Sequence, residues 1–151
     1  MVTALQLVAD GTLILIVAVS APIVFLWLRR GTWVKLPILI MVGLTSLLTG
    51  KIMSLLYQPA FARPFLELGV QPGAAYIDNP GFPSDHALLA TVSVVAVYIA
   101  TRNKRLTIIL AAMIVLMSLG RILALVHTPL DVFFGIAAGL SGSIWYRKLT
   151  S

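Results

Sequence analysis

Between Gly120 and Asp131 the chain brings a permanent cation, an imidazole and a carboxylate together, as Arg121, His127 and Asp131. The whole sequence of 151 residues holds only five carboxylates and two histidines, so this concentration inside apolar sequence calls for a chemical reason. Pro129 supplies a geometry. A proline suits the first helical position and disfavours helix in the residue before it, so one helix is expected to end near His127 and the next to begin at Thr128 as N-cap. Asp131 then lies in the first turn. Its carboxylate can reach back to an imidazole nitrogen and fix the tautomer, the arrangement of an activated histidine. Thr128 with Asp131 three residues on is equally a capping box, which needs no histidine.

The second histidine belongs to Gly81-Phe82-Pro83-Ser84-Asp85-His86, directly before an apolar run. Ser84 is a natural N-cap, and the amides of Asp85, His86 and Ala87 have no partner within the helix. Free N–H groups and the positive end of the helix dipole make such a start an anion site, most often for phosphate. Plain capping, with Asp85 complementing the dipole, is the alternative. Two cations, Arg121 and Lys51, lie within apolar sequence. A charge at a bilayer centre costs roughly 2.5 to 3.5 kcal/mol, so each is a functional candidate, although Lys51 can also snorkel outward.

The elements that must position these residues are membrane helices. Sixty per cent of residues are hydrophobic, 11% are charged, and mean hydropathy is +1.02, outside the range of soluble domains. The expected fold is an all-α integral membrane protein, a single domain over residues 1–151 with a bundle of about five transmembrane helices and one long outer loop. The spans are placed near Leu5 to Leu28, Trp33 to Tyr57, Ala87 to Thr101, Leu106 to Val126 and Leu130 to Tyr146. The first reads as a retained span and not as a cleaved signal. The net charge of +6 sits in short clusters, Arg29, Arg30 and Lys35, then Arg102, Lys104 and Arg105, then Arg147 and Lys148. That is the pattern of positive-inside anchors and excludes a nucleic-acid partner. All three clusters fall on one side of a five-span bundle in the cytoplasmic membrane. The C-terminus is then cytoplasmic, and the long loop with the turn at His127 lies on the extracytoplasmic face. Within that loop Phe61, Phe65, Leu66 and Leu68 suggest a segment lying on the membrane surface. The chain has no cysteine, which removes thiolate chemistry.

In order, the signals are Lys51, Arg63-Pro64, Pro83-Ser84-Asp85-His86, Arg121, His127 and Asp131. This resembles the type-2 phosphatidic acid phosphatase family, whose signatures are a Lys with an Arg-Pro, a Pro-Ser-x-His, and an Arg-x5-His-x3-Asp. The resemblance implies a lipid phosphatase. The histidine matching His127 would attack phosphorus to give a phosphohistidine, Asp131 would orient it, and His86 would protonate the leaving oxygen. Lys51, Arg63, Arg121, the Ser84 hydroxyl and the Asp85 amide would hold the phosphoryl oxygens, with no metal and no cofactor. Lys51 precedes Arg63 by twelve residues where the family usually has seven, Gly120 replaces a serine, Asp85 replaces a glycine, and five spans stand for six. Arg63-Pro64-Phe65 and the phenylalanine before Pro83 are similar to the branch that hydrolyses undecaprenyl diphosphate, the preferred substrate.

Other readings are phosphatidate or phosphatidylglycerophosphate phosphatase, and a non-catalytic carrier of lipid phosphates. Gly139-Leu140-Ser141-Gly142 resembles the nucleophile motif of rhomboid proteases, but both histidines precede it. Gly135, Gly139 and Ser143 there form a stripe of small residues suited to close helix packing. The sequence leaves open whether the chain forms a homo-oligomer.

Overall fold

The computed structural model describes residues 3–57, 63–79 and 81–146, all-helical or irregular throughout. Phe61, Arg147 and Lys148 lie outside the described residues. Among the described residues five apolar helices carry the fold: α1 (Ala4–Gly31), α2 (Trp33–Leu56), α4 (Asp85–Thr101), α5 (Lys104–Leu123) and α6 (Pro129–Trp145). A short helix, α3 (Pro64–Glu67), lies in the long loop. By length and composition α1, α2 and α5 can cross a membrane, and α4 and α6 are shorter apolar helices. At 1.5 Å per residue the 17 residues of α4 span about 25 Å, a little less than a hydrocarbon core. Large apolar side chains such as Ile14, Leu48, Leu55, Ile108 and Leu123 are exposed along the outside, where lipid and not water is the fitting solvent. The chain is an all-α membrane protein.

Helix starts follow from the caps. Thr3, Ser84, Asn103 and Thr128 each accept a hydrogen bond from an amide in the first turn of the helix they precede. α4 is central and packs against α1, α2, α5 and α6. Ile16 of α1, Ala90, Val94 and Val97 of α4, Leu110, Ile114 and Met117 of α5 and Val132 of α6 form the principal core. α6 comes close to its neighbours because three positions lack side chains. A Cβ on Gly135 would stand 2.5 Å from the Ser84 carbonyl oxygen, and one on Gly139 would stand 2.9 Å from that of Leu88. The third close approach is made by Gly142, against the Val42 carbonyl oxygen, and not by Ser143 as the small-residue stripe suggests.

One end of the bundle is basic and aromatic. Arg102, which closes α4 in the left-handed region at φ 54, lies 4.4 Å from the Tyr146 ring centroid, and Tyr146 stacks on Tyr98. Trp27, near Arg29, joins the same cluster with Ile99 and Trp145. The starts of α4 and α6 are at the opposite end.

Two expectations are corrected. α5 ends at Leu123, not near His127, because Ala124 and Leu125 leave the helix, Leu125 at φ 59. Their carbonyls are taken instead by loop amides, Gly73 to Ala124 and Phe65 to Leu125, each at 3.0 Å. Arg121 is consequently in the last turn of α5. Phe65 does not lie on the surface: it is buried against Ala74, Ala124 and Val126, while Leu66 and Leu68 are exposed.

Candidate active site

The starts of α4 and α6 are joined directly. The Ser84 amide donates to the Asp131 carbonyl at 2.9 Å, so the turns carrying His86 and His127 share one frame. At the α6 start Asp131 closes the capping box and faces His127. Its carboxylate accepts from the Thr128 amide at 2.7 Å, completing the capping box with Thr128, and the same oxygen, Oδ2, lies 3.6 Å from His127 Nδ1. That separation exceeds a hydrogen bond, and His127 Nδ1 is buried with no closer partner. Both side chains are almost wholly buried. Burial holds the His127 imidazole below its usual titration range, outweighing the pull of Asp131 toward the charged form.

Arg63, His86, Arg121 and His127 line one cleft of about 20 Å³, together with Ile77, Asn79, Gly81 and Asp85. Ser84 is fully buried beside it and caps α4, its hydroxyl 3.5 Å from the Ala87 amide. Arg63 is buried and already committed. Nη1 donates to the Val126 carbonyl at 2.7 Å, Nη2 to the Ile77 carbonyl and to Asn79 Oδ1, and Nε to the Asn79 carbonyl at 3.4 Å. Four of its five N–H groups thus tie the long loop to the residue before His127. Arg121 is 1% exposed and donates from Nη1 to the Ala75 carbonyl at 2.7 Å, while its buried Nε has no partner.

Lys51 does not join this cleft. It is exposed on α2 in an adjoining cleft of about 310 Å³, which it shares with Ser54, Asn79, Gly81, Phe82 and Asp85. Asp85 is exposed and borders both clefts. Ser141 donates to the Ala138 carbonyl at 2.7 Å, with Thr49 Oγ1 3.0 Å from its hydroxyl, and both histidines stand at the starts of α4 and α6, away from it. Among the described residues no three His, Cys, Asp or Glu side chains converge as a metal site would require.

One residue in contact with the cleft's lining escaped the sequence reading. Asp10 of α1 pairs through Oδ1 with Arg121 Nη1 at 2.5 Å and stands 3.7 Å from His86 Nε2. Its Oδ2 accepts from the Ala75 amide at 2.9 Å. The available signal was an acid within an apolar span, which is itself a functional hypothesis in a membrane.

Two imidazoles, two guanidiniums and two helix starts gather at one end of a membrane bundle. The chain belongs to the PAP2 superfamily, the type-2 phosphatidic acid phosphatase family, whose model matches residues 31–151. Members of the family are phosphatases acting on phosphate esters or lipid phosphates. No curated protein and no solved structure matches the chain significantly.

Proposed function

We propose that the protein is a metal-independent lipid phosphatase that removes the terminal phosphate of a lipid diphosphate, most favourably undecaprenyl diphosphate. The observation that carries this reading is the run of three clefts. The cleft of the histidines shares Asn79, Gly81 and Asp85 with the Lys51 cleft, and that one shares Phe82 with an apolar cleft of about 320 Å³. Met53, Leu56, Tyr57, Leu130 and Phe134 complete the apolar lining. A terminal phosphoryl group beside Arg121, a second phosphoryl near Lys51 and a hydrocarbon chain along Phe82 and Phe134 fit that order. A monoester such as phosphatidate would leave the Lys51 cleft without a phosphoryl partner.

In this reading the Nδ1 proton of His127 points at Asp131, which leaves the Nε2 lone pair to form an N–P bond as the P–O bond to the lipid phosphate breaks. His86 gives its proton to the departing oxygen. Water then attacks the phosphohistidine, losing its proton to His86, and inorganic phosphate leaves as the N–P bond breaks. Arg121 and the remaining Arg63 N–H offset charge on the phosphoryl oxygens, and the positive ends of α4 and α6 add to this. The basic end of the bundle would face the cytoplasm and the site the outside.

The test is phosphate release from undecaprenyl diphosphate, phosphatidate and phosphatidylglycerophosphate, side by side in EDTA, with purified protein and with sealed right-side-out vesicles. Diphosphate should be cleaved fastest, in EDTA, from the outside. Binding without release would establish the carrier instead, and activity restored only by magnesium would refute metal independence. A further expectation concerns acid. Because burial keeps His127 neutral below its usual range, the acidic limb of kcat/KM set by the nucleophile should fall below pH 6.5. A limb above that value would show that Asp131 outweighs burial.

A further inference from the structure

The Asp10 carboxylate is supplied from outside the family-matched region, which begins at residue 31, and it reaches the site by a specific construction. Residues Leu7–Gly11 form a π-helical turn within α1, the kind of insertion that redirects side chains and recurs at functional sites. The turn is seated on Gly120, where a Cβ would stand 3.0 Å from the Ala9 amide nitrogen, and Ala9 is fully buried. Gly120 precedes Arg121, so this close approach brings Asp10 to the guanidinium. Its Oδ1 then lies between Arg121 Nη1 and His86 Nε2, a cation and a proton carrier, as an oxygen of a bound phosphoryl group would. The remaining cleft of about 20 Å³ has room for about one water and not for a phosphoryl group.

We propose that Asp10 is a specificity-determining residue whose carboxylate competes for Arg121 and His86 and yields to a terminal phosphoryl group of two negative charges. The inference rests on the proposed phosphatase reading and deepens it. A phosphodiester headgroup brings a single negative charge, no more than Asp10 itself, and the tethered carboxylate has the advantage of high local concentration. A terminal phosphate brings a second charge, which roughly doubles its attraction to the guanidinium at equal distance. A site open to the lipid bilayer would in this way reject the phosphodiester lipids that surround it.

The experiment compares the native protein with Asp10→Asn, which keeps an acceptor for the Ala75 amide, and with Asp10→Ala and Asp10→Ser as further removals of charge. Each variant that keeps the native melting profile is assayed for inorganic phosphate binding by equilibrium dialysis, and for inhibition by dihexanoyl phosphatidylglycerol, a monoanionic phosphodiester. Removing the charge should tighten phosphate binding about tenfold, as expected if the carboxylate holds its place about nine-tenths of the time. It should also make the phosphodiester an inhibitor. Unchanged or weaker phosphate affinity overturns the proposal, as does a fall in kcat with phosphate affinity unaltered, which would make Asp10 a positioning residue. Phosphate binding and release equal in all proteins overturns this inference alone. Phosphate neither bound nor released by any of them overturns the proposed function with it.

Discussion

Replacing His127 with alanine should abolish phosphate release, with a loss on the order of 10⁴-fold or more, and should remove any covalently trapped phosphate. The expectation follows from its place in the cleft. His127 is buried, kept neutral by that burial, and has a carboxylate facing Nδ1, which under the proposed mechanism leaves Nε2 as the attacking nitrogen. His86 is in a different position. It lies in the first turn of α4, where the helix dipole disfavours the imidazolium and favours giving up a proton. His86→Ala should therefore slow turnover by roughly 10²- to 10⁴-fold on a monoester, whose leaving alkoxide needs that proton. A diphosphate has a better leaving group and should suffer less, so the ratio of diphosphate to monoester activity should rise. Acid-quenched protein incubated with labelled substrate gives the decisive measurement. Label trapped by the His127→Ala protein and not by the His86→Ala protein would reverse the two roles.

The second large effect is expected at a residue with no side chain. Gly135→Ala places a methyl 2.5 Å from the Ser84 carbonyl oxygen and 3.0 Å from Ala87 Cβ, and backbone cannot step aside as a side-chain end can. Overpacking of this kind costs roughly 1 to 3 kcal/mol. The relief available is separation of α6 from α4, which moves His127 relative to His86, and a shift of about 1 Å in a catalytic geometry can cost 10²-fold in rate. Gly43→Ala on α2 is the matched control, because no atom lies within 4 Å of its added methyl. Thermal melts and kcat/KM should separate the two variants clearly. Equal behaviour would mean that the α4 to α6 approach does not hold the site.

The helices were legible because membrane spans need long apolar runs, and the starts at Ser84 and Thr128 were legible because caps use local chemistry. Thr128, Pro129 and Asp131 form their capping box within four residues, so no distant information is required. The end of α5 was not legible. Nothing local stops the apolar pattern at Leu123, and what stops it is the capture of the Ala124 and Leu125 carbonyls by loop amides more than fifty residues earlier. Phe65 turned inward for the same reason, since its own amide is one of those donors. The commitment of Arg63 to backbone carbonyls depends on where residues 77 to 79 fold back, which no spacing reveals. Asp10 and Arg121 are 111 positions apart, and only the packing of α1 on Gly120 makes them neighbours.

The bond from the Ser84 amide to the Asp131 carbonyl has a mechanical meaning as well as a structural one. It ties the two helix starts together directly, so a displacement of one end tends to be shared by both histidines. Such a joint filters out differential motion while leaving common motion free. A bundle that drifts and tilts with its bilayer can then keep the two histidines in register.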